Sequence, residues 1–508
     1  MTIASAWSIA LVGMDGTPVE VEAAINDGLP RTVLIGLADT ALHEARDRCR
    51  AALTAGGYGW PNELLTINLT PASLPKAGSH YDLAIAAAVL AAAGIVPRQL
   101  PRSLVLMGEL GLDGRVRPVR GILPGLLAAQ RCGRNVAIVP MSQVGEARLV
   151  AGLTVRGVAS LNDLVEVLLG RQVAEPPGAP IQEIGDAPEQ LPDLADLLGQ
   201  PAARWAAEVA AAGGHHMLLH GPPGVGKTML AKRMPGIMPE LTTADALEVS
   251  AIHSLAGVAL NGGLIRRPPF SDPHHNATMA AMVGGGSRLA RPGAISLAHR
   301  GVLFLDEAPE FSSQVMEALR TPMEAGFVSI ARSQGVVKYP AQFQLILAAN
   351  PCPCGMAGTP KSSCRCSSVA IRRYNSRLSG PVLDRIDIHQ QLESVTLAMA
   401  RTDTSAEPSA AVLARVAEAR QRGSLRWRGT GWRRNSEVPG HVARDGLPIE
   451  GLAMVEKEVM RGHMSARGVD KVARLSWTLA DLAGHAHIDV DDVASAMTLH
   501  QSDWQVGV

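Results

Sequence analysis

The chain has 508 residues, too many for one ordinary hydrophobic core, so two or three domains are expected. Hydrophobic residues make up 47% and charged residues 19%, which excludes a mostly disordered chain. Lysine plus arginine and aspartate plus glutamate total 47 each; the zero net charge excludes a globally basic nucleic-acid binder and leaves any such contact to a local patch. Met1 to Gly16 carries neither a basic stretch nor a cleavage signature, so no signal peptide is read. Val19 to Ile25 and Thr32 to Ile35 read as strands, and Asp39 to Thr54 as a helix opened by a capping aspartate. Leu65 to Leu69 is a further strand. The alanine-rich run Leu83 to Val96 is shorter than the ~20 residues that span a bilayer and reads as a buried helix. Leu104 to Met107 is a strand, Asp113-Gly114 a tight hairpin turn, Gly121 to Cys132 a helix and Val136 to Val139 a closing strand. This alternation predicts an α/β domain over residues 1–170. Pro176, Pro177, Pro180 and Pro188 mark a linker at 171–190. The pattern returns from Leu191, and residues 191–395 carry the chemistry. A Ser/Thr/Ala-rich break falls near 400–410, and residues 396–508 read as a helical domain.

Gly221-Pro222-Pro223-Gly224-Val225-Gly226-Lys227-Thr228 fits the G-x-x-x-x-G-K-[ST] phosphate loop. Its glycines let backbone N–H groups turn inward around phosphate oxygens. Lys227 is expected to reach the β- and γ-phosphates of ATP, and the Thr228 hydroxyl to join the shell of Mg²⁺. The context agrees: Met217 to Leu219 is a short apolar strand before the loop, and a helix can begin at Thr228. Val302-Leu303-Phe304-Leu305-Asp306-Glu307 is an apolar strand ending in two acids. Asp306 is expected to hold Mg²⁺ and Glu307 to polarise the attacking water. A third strand, Phe343 to Ala349, ends at Asn350, whose amide can orient the water or sense the γ-phosphate.

The ordered set of phosphate loop, Asp-Glu strand, asparagine strand and later arginine resembles the AAA+ ATPases. Within them it is similar to the magnesium-chelatase-like group and its ComM/YifB branch. The carrying residues are Ala211-Ala212-Gly213-Gly214-His215-His216, Pro273-His274-His275, Gly284-Gly285-Gly286, Arg291-Pro292-Gly293, Ser296-Leu297-Ala298-His299, Asn350-Pro351-Cys352-Pro353-Cys354-Gly355 and Ser379-Gly380-Pro381-Val382-Leu383-Asp384-Arg385-Ile386-Asp387. The resemblance implies an AAA+ P-loop α/β core with a helical C-terminal domain. It implies that Gln200, after Gly199, lies on the adenine side, that Arg385 is an arginine finger inserted into a neighbour's ATP site, and that Arg467, with Arg474 as the alternative, is the second sensor arginine. A trans arginine requires a ring, expected to be a hexamer. Ser476-Trp477-Thr478 stands where relatives carry an arginine.

Residues 1–170 resemble the C-terminal proteolytic domain of Lon, a ribosomal protein S5 domain 2-like fold. Pro75-Lys76-Ala77-Gly78-Ser79, Gly108-Glu109-Leu110 and Ala128-Ala129-Gln130-Arg131 carry that likeness. His80 stands at the nucleophile's place, and Ile122-Leu123-Pro124-Gly125 holds no lysine. A serine lacks its base there, so no protease activity is expected, and Ser79 reads as a turn residue.

The six cysteines are not scattered as in a disulfide framework, which suits a reducing compartment and predicts a cytoplasmic protein without membrane attachment. Cys352, Cys354, Cys364 and Cys366 form a C-x-C … C-x-C set that can close a structural Zn²⁺ site or simply pack as thiols. His274 and His275, read as strand residues pointing to opposite faces, make a poor chelating pair. The resemblance implies that their segment faces a central pore; His215 and His216 read as structural. Arg415, Arg420, Arg422, Arg426, Arg428, Arg433 and Arg434 crowd around Trp427 and Trp432. That combination suits a phosphate backbone with stacked bases, or a solvated helix face. Arg372, Arg373 and Arg377 form a weaker cluster. The leading expectation is a DNA translocase or helicase, acting on branched or single-stranded DNA in recombination or natural transformation. The alternatives are a chelatase motor subunit for Mg²⁺ insertion into a porphyrin and a protein-remodelling ATPase. The chain contains no D-x-S-x-S metal-adhesion motif.

Overall fold

The computed structural model describes every residue except 37–39, 73, 75, 77, 174–191, 261–262, 287–289, 333–334, 358–363, 379, 396–402, 404–405 and 502–508. The capping Asp39 and the proline-rich linker therefore lie outside the described residues.

At the N-terminus β1 (Thr2–Val12), β2 (Asp15–Asn26), β3 (Arg31–Ile35) and β4 (Leu64–Thr70) pair in the order β1-β2-β4-β3. Across them lie α1 (Thr40–Ala55) and α2 (Asp82–Ala92). Every residue of α2 is buried, as its unbroken apolar run requires. Its one charge, Asp82, is held by Arg48 at 2.7 and 3.0 Å and by the Leu110 amide at 3.0 Å. Then β5 (Leu104–Leu106), α3 (Ile122–Arg131), β6 (Val136–Pro140), β7 (Thr154–Val158) and α4 (Leu161–Leu168) follow, the three strands forming a parallel sheet in the order β5-β6-β7. The expected hairpin is present: Glu109–Leu110 pairs with Val116–Arg117, and Gly114 turns the chain at φ +79°. One strand was not read from the sequence, and one expectation needs correction. The eleven residues of β1 pair along their whole length with β2, although their alanines and serines give a weak apolar rhythm. And β6 does not close the domain, because β7 and α4 follow it.

The middle of the chain contains α5 (Pro201–Gly213), β8 (Met217–His220), α6 (Lys227–Arg233), α7 (Thr243–Ala256), β9 (Phe270–Ser271), β10 (Val302–Leu305), β11 (Gln344–Ala349) and β12 (Ile388–Gln391). The strands form one parallel sheet in the order β9-β10-β11-β8-β12. Alternation sends Met217, Leu219, Val302, Phe304, Ile346 and Ala348 to one face and Leu218, Leu303, Leu305, Leu345 and Leu347 to the other. Both faces are covered, so the strands read as continuous apolar runs. Because they are parallel, the residues that follow β8, β10 and β11 emerge at a single edge.

Four longer helices complete the chain: α8 (Ser409–Arg426), α9 (Ile449–Met460), α10 (Ala466–Ala483) and α11 (Val490–His500). They share one hydrophobic core with α5 and the first face of the parallel sheet. The N-terminal domain docks on α7, where Ala251 joins the cluster of Ile122 and Leu126 and Ser254 donates to Glu146 at 2.5 Å. None of the described helices is long and apolar enough to cross a membrane.

Candidate nucleotide site

The phosphate loop leaves β8 and enters α6 at Lys227. Gly226 has φ +101°, and a side chain there would come within 2.7 Å of Leu197; at Gly221 one would strike the Leu392 carbonyl. Only glycine lets the loop close so tightly. Lys227 Nζ donates to Gly221 O at 2.7 Å, Pro222 O at 2.9 Å and Asn350 Oδ1 at 2.9 Å. All three of its protons are thus engaged by neutral oxygens, and burial pushes the ammonium down to about 8. Thr228 Oγ1 donates to Asp306 Oδ2 at 2.7 Å. The loop, the strand-end acid and the asparagine expected to meet do meet, at the carboxyl edge of the sheet.

Glu307 follows Asp306 with φ +51°, a left-handed conformation that strains a non-glycine residue and throws its half-exposed carboxylate away from the strand. His275 Nδ1 lies 3.4 Å from Glu307 Oε2, a contact that sequence reasoning missed. His274 and His275 stand at a turn beyond β9, not in a strand, with ring centroids 4.1 Å apart, so the opposite-faces argument does not apply to them. Their place beside the strand next to β10 could have been found only from the sheet order. Gln200 is buried, and its amide donates to Val225 O at 3.2 Å and Glu393 O at 2.7 Å, tying the phosphate loop to the chain beyond β12.

Arg385 and Arg467 lie at the opposite edge. They line a cavity of about 540 Å³ together with His216, which precedes β8, and Phe343, which precedes β11. Arg385 is bonded to Glu324 and to Pro381 O, and Arg467 Nη1 lies 3.3 Å from Asp384. Arg474, in the same wall, donates to Val438 O at 2.6 Å. The length of the strands separates all three from their own chain's phosphate loop. His215 is fully buried between Asp387 and Thr478, and His216 accepts from the Leu345 amide at 2.9 Å, in keeping with structural roles.

The arginine-tryptophan segment is not the free basic surface it resembles. Arg415 pairs with Glu208 and Glu407, and Arg420 donates twice to Ala211 O near the end of α5. Arg426 grips the buried Asp481 at 2.6 and 3.0 Å, Arg422 donates to the Asp481 carbonyl, and Arg433 reaches Asp245. Trp427 is buried, bonded to Asn435 and set edge-on to Trp432 and Trp477. Most of this charge therefore fastens α8 to α5 and α10, and Arg433 ties the segment after α8 to α7; Arg428 remains exposed. Of the weaker cluster, Arg377 pairs with Glu310 at 2.6 Å.

The four cysteines come together. Cys352, Cys354 and Cys364 have sulfurs 3.3 to 3.7 Å apart, and with Cys366 all lie within 4.8 Å of one another. In the N-terminal domain His80 is buried, and loss of hydration pushes its imidazole down to about 4 although its bond to Ile9 O at 2.8 Å opposes the shift. Lys76 is buried too, donating to Gly36 O, Pro71 O and Leu74 O. Ser79 sits in a bend.

Comparison with known proteins agrees along the chain. Family models described as magnesium chelatase, subunit ChlI, match residues 193–400; subunit ChlI of Mg-chelatase, 21–143; and the subunit's C-terminal region, 406–500. An uncharacterized protein of Mycobacterium tuberculosis is 50% identical over 506 residues, covering 99% of each chain. Competence protein ComM of Haemophilus influenzae is 36% identical over 98% of this chain and 97% of its own, and YifB of Escherichia coli 37% over 99% and 96%. A shorter stretch, 25% of this chain and 16% of the relative, is 31% identical to Lon protease 2 of Herpetosiphon aurantiacus. The α/β fold with a Lon-like region, a parallel P-loop core and a helical C-terminal part accords with these matches. The chain belongs to the ComM/YifB family of magnesium-chelatase-like AAA+ proteins.

Proposed function

We propose that the protein is an ATP-hydrolysing ring motor that moves DNA, a translocase or helicase promoting branch migration in homologous recombination or natural transformation. The observation that carries the reading is the convergence of Lys227, Thr228, Asp306, Glu307 and Asn350 at one sheet edge, with Arg385 at the other. The donors fit the ligand: a loop turned at three glycines of positive φ and one ammonium suit a triphosphate, and the all-oxygen pair Thr228–Asp306 suits Mg²⁺. Thr228 and Asp306 would hold the Mg²⁺, which would supply positive charge against that developing on the phosphates. Lys227 supplies positive charge to the same phosphates, and Asn350, which it already contacts, holds the attacking water in line. Glu307 takes that water's proton, its carboxylate aimed by the left-handed backbone and the neighbouring His275. Arg385 and Arg467, remote from their own loop, serve the site of an adjacent copy, which makes the working unit a ring, a hexamer in our reading.

DNA as the client follows from the family resemblance and from the Haemophilus relative's name as a competence protein. A structural Zn²⁺ on the four cysteines completes the cofactors, and their crowding into one short segment, unlike a disulfide framework, suits the cytoplasm. The description of all three family models as a magnesium chelatase subunit favours a second reading, a chelatase-type motor; a protein-remodelling ATPase is the third. ATP turnover by the full chain, alone and with single-stranded DNA, duplex and a four-way junction, separates them, with Lys227→Ala as blank. Stimulation by branched DNA is expected. Turnover indifferent to every DNA would overturn the translocase reading.

A further inference from the structure

The four-cysteine cluster sits against the nucleotide site, and its position gives it a task. Asn350-Pro351-Cys352-Pro353-Cys354-Gly355 is a single turn, closed by the Gly355 amide on Cys352 O at 2.9 Å. One end of the turn is Asn350, whose Oδ1 accepts from Lys227 Nζ at 2.9 Å. The other end is Gly355, which has φ +78°; a side chain there would come within 2.7 Å of Pro223, in the middle of the phosphate loop. Between the two ends stand two of the four sulfurs. The turn thus touches the phosphate loop twice, through the Lys227 ammonium and through Pro223.

The sulfurs themselves are spaced for a metal. Thiolates about 2.3 Å from a tetrahedral Zn²⁺ lie about 3.8 Å apart, close to the 3.3, 3.7 and 3.6 Å found here and far from a disulfide bond. Cys352 is fully buried and accepts the Ala357 amide at 3.4 Å, which fixes the place of its sulfur. Four sulfur ligands leave no open position, so such an ion does not take part in hydrolysis.

We infer that a thiophilic divalent cation, Zn²⁺, held by Cys352, Cys354, Cys364 and Cys366 fixes the 350–355 turn and thereby sets the affinity of the phosphate loop for Mg·ATP. The inference rests on the nucleotide reading above and adds its control: losing the ion frees Asn350 and Gly355 together, so Lys227 and Pro223 lose their support at once.

The test uses the full chain from zinc-supplemented cells, with bound zinc measured by elemental analysis and Mg·ATP binding by a fluorescent ATP analogue. The wild type and Lys227→Ala are expected to carry about one zinc per chain, and Lys227→Ala to lose nucleotide binding. Cys354→Ser/Cys364→Ser is expected to carry none and to bind nucleotide about tenfold more weakly, while keeping its circular dichroism. Gly355→Ala keeps every sulfur, so it decides the matter even if the double variant does not fold. It is expected to retain zinc and bind nucleotide about fivefold more weakly. Co²⁺ in place of Zn²⁺ should give the intense visible bands of a tetrathiolate site. A wild-type chain that binds nucleotide but holds no zinc overturns the coupling alone. One that holds zinc but binds no nucleotide overturns the nucleotide reading and the coupling with it. Unchanged affinity in the folded zinc-free variant or in Gly355→Ala also overturns the coupling.

Discussion

Mixing two inactive variants, Lys227→Ala and Arg385→Ala, measures whether an ATP site is assembled from two copies of the chain. Within one copy the six residues of β11 run from the arginine-lined cavity to Asn350, a rise of about 20 Å at about 3.3 Å per residue. An arginine side chain is far too short to cross that distance, so Arg385 does not reach its own chain's phosphate loop and is proposed to meet a phosphate held by a neighbour. Each variant alone is expected to lose about a thousandfold or more of turnover, the range for a charge-stabilising arginine supplied from a neighbour. In an equimolar mixture with random assembly, a site works when its loop comes from Arg385→Ala and its arginine from Lys227→Ala. About a quarter of sites meet both conditions, so turnover should recover to about a quarter of the wild-type level. The assay is phosphate release at fixed total protein as the ratio of the two variants is varied, with subunit exchange followed by fluorescence transfer. Exchange without recovery, or an Arg385→Ala chain as active as the wild type, would refute the reasoning.

Glu307→Gln should still bind ATP yet turn over about a hundredfold more slowly or worse, as expected for loss of a general base, whereas Lys227→Ala should lose binding; equal loss of binding in both would contradict the assigned roles. Asp481→Ala leaves the Arg426 guanidinium and the Asn435 amide without their shared buried carboxylate and should cost about 3–5 kcal/mol of stability in urea unfolding. An unchanged midpoint would return the arginine cluster to the surface. His80 has a folded-state value of about 4 against 6.5 for the free side chain, because burial disfavours its charged form. The unfolded chain therefore binds more protons below 6.5. This contribution is complete above pH 6.5 and is lost as pH falls towards 4, by about 3 kcal/mol in all. Replacing His80 by Gln, which can still donate to Ile9 O, should flatten that slope; an unaltered pH dependence would show that His80 does not carry it.

Local chemistry was legible wherever it depends on residues adjacent in sequence. The phosphate loop needs glycines and a lysine at fixed spacing, and the strand before Asp306-Glu307 declares itself as an apolar run because both its faces are buried. The first strand was harder to see, since alanine and serine at inward positions erase the contrast on which periodicity depends. The arginine cluster misled for a related reason. Charge beside tryptophan has the same composition whether it faces DNA or fills the seam between two helices. Only Asp481, Glu208 and Asp245, all distant along the chain, settle which it is.

By itself the sequence determined the phosphate loop, the paired acids, the asparagine and the proximity of cysteines within each pair, because each of these depends on short-range spacing. Tertiary structure decided what lies across from them. The parallel order β9-β10-β11-β8-β12 brings Asp306 and Asn350 to Lys227 and carries Arg385 to the far edge. His275 reaches Glu307 because β9 lies beside β10, and the cysteine turn reaches Pro223 because Asn350 ends the strand next to the loop. These contacts follow from strand pairing between segments tens of residues apart, and pairing is set by the burial of whole faces rather than by any local motif.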